Sequence, residues 1–339
     1  MKRRIAALAL AVLLCLPLTA CQKQPELRSL TWFDLFDTVT IVQGYTDSAD
    51  DWNTQGLALV QDLERYNELF DIYNHYDDVV NLYDVNAQAA AAPVAVDDEL
   101  YAFLRWCKDT VYPATDGTTN IAAGAMLQLW HDARESDSPA PPDPDAIAAA
   151  LEHIDIDDLI LDDAAKTVYF ADPAMTLDVG AVGKGYAVEQ AAQAAQARGF
   201  TSALLNVGGN IRAIGTKPGG KPWTAGVENP WGDDPAYLQA VELADGDSLV
   251  VSGDYQRYFE YDGVRYAHLI DLTTGYPARY VSSVAVLAHA GTGGLADALS
   301  TGLFCMPEAT GQALAAQNGY AVLWMHTDET TTQSGNWPQ

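Results

Sequence analysis

The fifteen residues DVGAVGKGYAVEQAA, Asp178–Ala192, constrain this chain more than any other stretch: a strand end, a glycine-rich turn and a helix follow one another directly. Their spacing excludes two nucleotide motifs. A P-loop needs four residues between its first glycine and the Gly-Lys pair, then Ser or Thr; here two residues separate Gly180 from Gly183, and Gly185 follows Lys184. The glycine order is also wrong for the dinucleotide fingerprint. What survives is free N–H groups at a helix start, a partial positive charge there, and one lysine. That is either an anion site or a bare strand-to-helix turn with a snorkelling lysine. The charge of the whole chain bears on the choice. It has 18 Lys and Arg against 46 Asp and Glu, a formal −28. Such a field repels nucleic acid and anionic lipid head groups, so no nucleic-acid partner is expected. Any phosphate must be held by a local device: a helix N-terminus, a lone lysine or a bound cation.

The N-terminus is read as an address. Lys2, Arg3 and Arg4 precede the apolar stretch Ile5–Leu18, and Leu18-Thr19-Ala20-Cys21 closes it with small residues before a cysteine. This is a secretory signal over 1–20, too short to span a membrane. The LTAC sequence resembles a lipobox, with lipidation at Cys21; the alternative is ordinary cleavage nearby that leaves a spare thiol. The expectation is an extracytoplasmic protein, lipid-anchored to the cell membrane without a transmembrane span. Residues 21–30 would be a tether, and 31–339 one domain or two intimately joined lobes, with enough apolar residues for a full core. Two further cysteines read as core thiols: Cys107 on the stripe Leu100, Phe103, Leu104, Cys107, Val111, and Cys305 in GLFCM. A disulfide between them stays open in that compartment.

Periodicity organises the rest. DLFDTVTIVQGY alternates like a strand, Trp52–Phe70 carries Leu59, Leu63, Tyr66 and Phe70 at helical spacing, and a helix runs from Asp97, a plausible N-cap, to Val111. Glu135–Asp145 is a proline-rich surface connection, followed by the helix AIAAALEHI and the hairpin LILDDAAKTVYF. YFEYDGVRYAHLID reads as a hairpin turning at Asp262-Gly263. The tail DETTTQSGNWPQ reads as frayed. The mixture predicts an α+β body.

Two more stretches carry chemistry. In GGLADALSTGLF, Gly293–Phe304, Asp297, Ser300 and Thr301 put a carboxylate and two hydroxyls on one helix face. Hard oxygens suit Mg²⁺; a solvated face whose hydroxyls bond back to their own carbonyls is the alternative. In Ser252–Pro277, His268 stands near the end of a hairpin strand with Asp271 three residues on, either a structural histidine or a proton acceptor.

The combination of LDVGAVGKGYAVE, NVGGNIRAIG, SGDYQRYF, HLIDLTTGYP and ADALSTGL, in this order, resembles the ApbE family of flavin transferases, the FAD:protein FMN transferases, from about Asp34 to Met306. The resemblance implies a T-fold-like α+β body and, commonly, a lipid anchor. It implies Mg²⁺-dependent cleavage of the FAD pyrophosphate and transfer of FMN to a threonine hydroxyl of a partner, such as a redox-pump subunit, with AMP released. By position, Asp178 and Lys184 would contact FAD. The Ala181 carbonyl would complete a metal site with Asp297, Ser300 and Thr301, so that Asp297 and His268 form the catalytic pair. His268 would take the threonine proton or fix the flavin, and Tyr73 would stack on the isoalloxazine. Phe36, Thr118, Thr119, Asn120, Ser252 and Gly253 would line the FAD site. The chain departs from the family pattern at Phe36–Thr38, where Met-Gly-Thr is usual, at Asn120, where an acid is usual, and at Leu272, where proline is common. Two alternatives share the residues: a Mg²⁺-dependent FAD pyrophosphatase giving FMN and AMP, and a non-enzymatic FAD-binding lipoprotein.

Overall fold

The computed structural model describes residues 25–232, 234–335 and 337–338, so the leader and Cys21 lie outside the described residues. Eight strands make the main sheet: β1 (Glu26–Leu35), β2 (Thr38–Thr46), β3 (Ser202–Val207), β4 (Asn210–Gly215), β5 (Ser248–Gly253), β6 (Ser283–Ala288), β7 (Ala321–Met325) and β8 (Thr331–Ser334). They lie side by side in chain order, each antiparallel to the next. Antiparallel neighbours need only a short turn between them. The long excursions after β2, β5 and β6 are therefore insertions, and they carry the chemistry-bearing stretches.

The first excursion holds α1 (Ala49–Phe70), α2 (Leu82–Gln88), α3 (Asp98–Trp106), α4 (Gly124–Glu135), α5 (Pro144–Leu151) and α6 (Gly183–Ala197). The third holds α7 (Gly293–Phe304) and α8 (Glu308–Asn318). Helix α1 starts where Ser48 accepts from the Asp51 N–H, and α3 where Asp97 accepts from the Leu100 N–H. A π-helical turn, Cys107–Val111, continues α3, and every member of the predicted stripe is buried. Both thiols, Cys107 and Cys305, are buried and free, with pKa raised by desolvation, so the pairing left open above is not made.

Strand alternation sorts the core into layers. Ala203, Leu205 and Val207 face α1 and α6, while Val284, Val286, Val322 and Trp324 face α7 and α8. The opposite side of the sheet, with Ala285, Leu323 and Met325, is covered by a hairpin of Trp223–Glu228 and Tyr237–Leu243. Strands β6 and β7 are buried on both faces, and so read as unbroken apolar runs. Helix α6 packs between α1 and α7 through its small residues Gly185, Ala187, Ala191, Ala192 and Ala195.

The α+β expectation holds, with three corrections. The single strand read across DLFDTVTIVQGY is broken at Phe36 and Asp37, both at positive φ (53° and 51°), which makes β1 and β2 a hairpin. Strand β1 begins at Glu26, within the expected tether; it is an edge strand whose polar residues resemble a linker. The tail is not frayed throughout. Thr331–Ser334 pair with β7, and Trp337 is buried with its indole N–H on Gln239. β-Branched threonines favour this extended pairing. The turn at Asp262-Gly263 appears as read, both residues at positive φ. Among the described residues, no helix is long and apolar enough to cross a membrane.

Candidate active site

The glycine-rich turn is held before the helix begins. The Asp178 N–H donates to the Ile121 carbonyl (2.9 Å), and Asp178 Oδ1 accepts from the Gly180 N–H (2.8 Å). Helix α6 then starts at Gly183 without a cap from the Val182 side chain; the Gly183 N–H returns to the Val179 carbonyl (2.7 Å), and the N–H groups after it must find partners beyond the helix ladder. One of them decides the site: the Gly185 N–H donates to Asp297 Oδ2 on α7 at 2.7 Å. A Cβ at Gly185 would lie 2.4 Å from the Asp297 Cβ, so only glycine lets the two helices come this close.

Asp297 is 3% exposed, and burial raises its pKa against the opposing pull of Lys184, the Gly185 N–H and a hydrogen bond from the Asn210 side chain. Asn210 leaves its own Oδ1 buried with no partner. The Asn210 oxygen, on the amide that donates to Asp297, is thus left with unmet demand. Lys184 folds back over the turn, its Nζ donating to the Gly180 carbonyl (3.0 Å). Its charge acts on Asp178, whose pKa is also raised by burial, on Asp297 and on His268. Ala181 and Thr301 are half-buried on the two sides of this junction.

Ser300 differs from expectation. It is fully buried, and its hydroxyl donates to the Asp297 main-chain carbonyl (2.9 Å) and pairs with Ser252 Oγ (2.7 Å). It braces α7 against β5 from behind. Thr119 does the same from another side, donating to the Ala298 carbonyl (2.6 Å), while Thr118 donates to the Thr115 carbonyl (2.6 Å). Asn120 donates to the Ile154 carbonyl (2.7 Å) and accepts from the Ala122 N–H (2.9 Å). An acid at 120 could not make the first of these bonds, which accounts for an amide there. Phe36 packs its ring on the core, and its N–H is taken by Asn67 Oδ1. Gly253 lies where a Cβ would strike the Tyr255 ring at 2.3 Å.

The second excursion supplies the histidine. His268 accepts nothing at Nδ1, because its neighbour there is the Arg257 carbonyl (3.2 Å), which can only accept. The proton therefore sits on Nδ1, and Nε2 keeps a free lone pair. Desolvation, then the charges of Arg257 and Lys184, lower its pKa to about 3. Asp271, three residues on, is engaged elsewhere. Asp271 Oδ1 accepts from the Thr273 N–H and hydroxyl, and Oδ2 from Tyr280, so the acid shapes the turn instead.

The sequence profile of the ApbE family matches residues 36–324. The chain belongs to the ApbE family. It is similar to the FAD:protein FMN transferase of Treponema pallidum, 39% identical over 238 residues covering 66% of this chain and 64% of that one. It is also similar to the FAD:protein FMN transferase of Haemophilus influenzae, 29% identical over 336 residues covering 97% and 94%. The chain thus spans just under two thirds of the first relative and nearly all of the second. The crystal structure of the ApbE protein from Thermotoga maritima superposes with a TM-score of 0.82 at 29% identity, covering 91% of this chain and 97% of that one.

Within this ApbE chain the fold brings Asp178, Lys184, Asp297 and His268 into one electrostatic neighbourhood. Tyr73 joins it: 48% exposed, its pKa is pushed up to about 12, first by desolvation and then by Asp178. Sequence reasoning missed Asn210, which lies within the quoted NVGGNIRAIG, and Arg257, whose guanidinium ties the His268 hairpin to the Asp37 carbonyl (2.9 Å). It also missed His131 and Arg134 on α4. Their only advance signal was i, i+3 spacing on one helix face.

Proposed function

We propose that this chain is an FAD:protein FMN transferase working through the α6–α7 junction. The threonine hydroxyl of a partner protein attacks the FMN-side phosphorus of FAD. The new bond is threonine oxygen to phosphorus; the bond that breaks joins that phosphorus to the bridging oxygen, which leaves with AMP. The observation that carries this reading is the buried Asp297 carboxylate latched to a helix start, with Lys184 and a neutral, lone-pair-bearing His268 beside it.

The donors fit Mg²⁺. Asp297 keeps one carboxylate oxygen free of the Gly185 N–H and Asn210 Oδ1 has no partner; the Thr301 hydroxyl, one turn along α7, and the Ala181 carbonyl, in the turn before α6, would complete the set. All are hard oxygens around a single carboxylate, a set that leaves room for phosphate. Ser300 would support this set through Asp297 without joining it. When bound, the cation would neutralise charge on the pyrophosphate.

The residues of the chain do the rest by position and charge. Lys184, at the start of α6, receives the pyrophosphate, since the Gly183 and Gly185 N–H groups of that helix are already held by the Val179 carbonyl and Asp297. His268 takes the threonine proton at Nε2. Desolvation first, and then the charges of Arg257 and Lys184, hold its pKa low; the arrival of a pyrophosphate would offset the second of these and strengthen the base when substrate is present. Tyr73 offers its exposed ring to the isoalloxazine. The reading includes an extracytoplasmic location with a lipid anchor at Cys21, supported by the basic start, the apolar run and LTAC.

The test is incubation with FAD, Mg²⁺ and an acceptor domain carrying a threonine flavinylation motif. Mass spectrometry should show one FMN added to the acceptor, with AMP released. FMN and AMP free in solution with no adduct would remove the transferase reading in favour of the pyrophosphatase.

A further inference from the structure

Helix α4 is pinned to both sides of the site. Near its start the Gly124 N–H donates to the Thr176 carbonyl (3.0 Å), two residues before Asp178. Further along, the Trp130 indole N–H donates to the Gly275 carbonyl (2.8 Å), and its ring stacks on Tyr266 of the His268 hairpin (5.8 Å, 19°). The next turn of α4 therefore lies close to both, with His131 acting on Asp178 and Arg134 on His268.

That turn presents a preassembled cluster. His131 Nδ1 lies 3.1 Å from Arg134 Nη2 and 3.4 Å from the Tyr73 hydroxyl, and the Tyr73 and His131 rings are 5.2 Å apart at 31°. A guanidinium N–H can only donate, so Nδ1 accepts and the proton of the imidazole is on Nε2. His131 is left with a free N–H donor, and Arg134 with further donors in a planar fork. Arg134 Nε is paired with Glu135 (3.0 Å), and Asp132 acts on Tyr73 from the same helix. Acids this close disfavour a second phosphate here. A planar ring edged with uncharged carbonyl acceptors suits the cluster better.

We propose that His131 and Arg134 bind the carbonyl edge of the isoalloxazine beside Tyr73, as positioning residues that select a flavin over other dinucleotides. The proposal rests on the flavin-transfer reading. It places the flavin against α4, Tyr73 and the His268 hairpin, and the pyrophosphate at α6, so that one extended ligand would reach from α4 to α6.

The experiment is equilibrium binding to the full chain in Mg²⁺ of FAD, FMN and ADP-ribose, the last having the pyrophosphate but no flavin. His131→Ala and Arg134→Ala should each weaken FAD and FMN by about tenfold to a hundredfold, the size of a lost hydrogen bond to a charged or polarised group. ADP-ribose binding should be unchanged. His131→Gln, which keeps an N–H donor, and Arg134→Lys, which keeps the charge, should fall between wild type and alanine. Equal losses for ADP-ribose and FAD would overturn the proposal by placing the cluster on the phosphates; unchanged flavin affinity in both alanine variants would overturn it outright. Failure of the wild-type chain to bind either flavin ligand would instead strike the flavin-transfer reading itself.

Discussion

Gly185→Ala tests the geometry on which the site depends. The added methyl would sit 2.4 Å from the Asp297 Cβ and 3.1 Å from its Cγ and Oδ2, whereas unstrained carbon contacts lie at about 3.5–4.0 Å. The obstructing atom is a Cβ fixed to the α7 backbone, so it cannot swing aside. Either α6 and α7 separate by about 1 Å or Asp297 leaves its rotamer, and both stretch the 2.7 Å bond from the Gly185 N–H. Overpacking of this kind costs about 1–3 kcal/mol, and loss of a hydrogen bond to a carboxylate about 1.5–3 kcal/mol. Better helix propensity returns about 1 kcal/mol. The net is a destabilisation of about 2–4 kcal/mol, or roughly 3–6 °C in melting temperature for a chain of this size. Transfer should fall by about a hundredfold, because a 1 Å misplacement of a positioned group costs that much. Gly232→Ala, where nothing lies within 4 Å of the new methyl, is the control and should match wild type. A Gly185→Ala protein that melts and transfers FMN like wild type would refute the latch.

Asp297→Asn should abolish transfer yet melt higher than wild type at pH 7–8 without Mg²⁺. A raised carboxyl pKa means the folded state holds the proton more tightly, so stability falls as pH rises above the usual carboxylate range; melting curves across pH with and without Mg²⁺ check this. His268 acts in the opposite direction. With a folded pKa of about 3, it adds no pH dependence above about 6.5, and below that the unfolded chain takes up a proton the folded one refuses, so stability falls as pH drops from about 6.5 to 3. His268→Gln should flatten that window in acid melts and lower kcat far more than FAD affinity. Arg212 holds Glu189 by two bonds (2.9 and 3.1 Å) with both side chains buried. Arg212→Ala should therefore cost about 3–5 kcal/mol in denaturant unfolding, with partial recovery when Glu189→Leu removes the stranded charge.

How much of this was legible in advance depends on whether the signal was local. The Asp97 cap, the Leu59–Leu63 stripe and the Asp262-Gly263 turn each depend on residues within one element, and each appears where periodicity placed it. Strand β1 and the Thr331–Ser334 strand were not legible, because an edge strand needs only one paired side and tolerates polar residues that also suit a linker or a frayed end. The break at Phe36–Asp37 escaped for a related reason: neither residue is a glycine, and positive φ there is imposed by pairing across the hairpin.

The site divides along the same line. The places of Lys184 at the start of α6 and of Asp297 on α7 were visible, since each lies within a short motif that reads as turn and helix. The direction of Ser300, Asp271 and Asn120 was not, because each chooses among partners that sequence cannot place: the Asp297 carbonyl, the Thr273 hydroxyl and the Ile154 carbonyl. Gly185 shows the limit most clearly. As sequence, it is one more glycine in a loop fit for phosphate; in the fold, it is the contact that lets a helix N–H reach a carboxylate from a helix more than a hundred residues away, so its requirement comes from α7 and not from the ligand. A carboxylate drawn onto a helix start occupies a place an anionic ligand would otherwise take. Under the proposed function, the junction would favour phosphate only where Lys184 and a cation offset Asp297, which would make the metal part of the recognition of the dinucleotide as well as of the chemistry that follows.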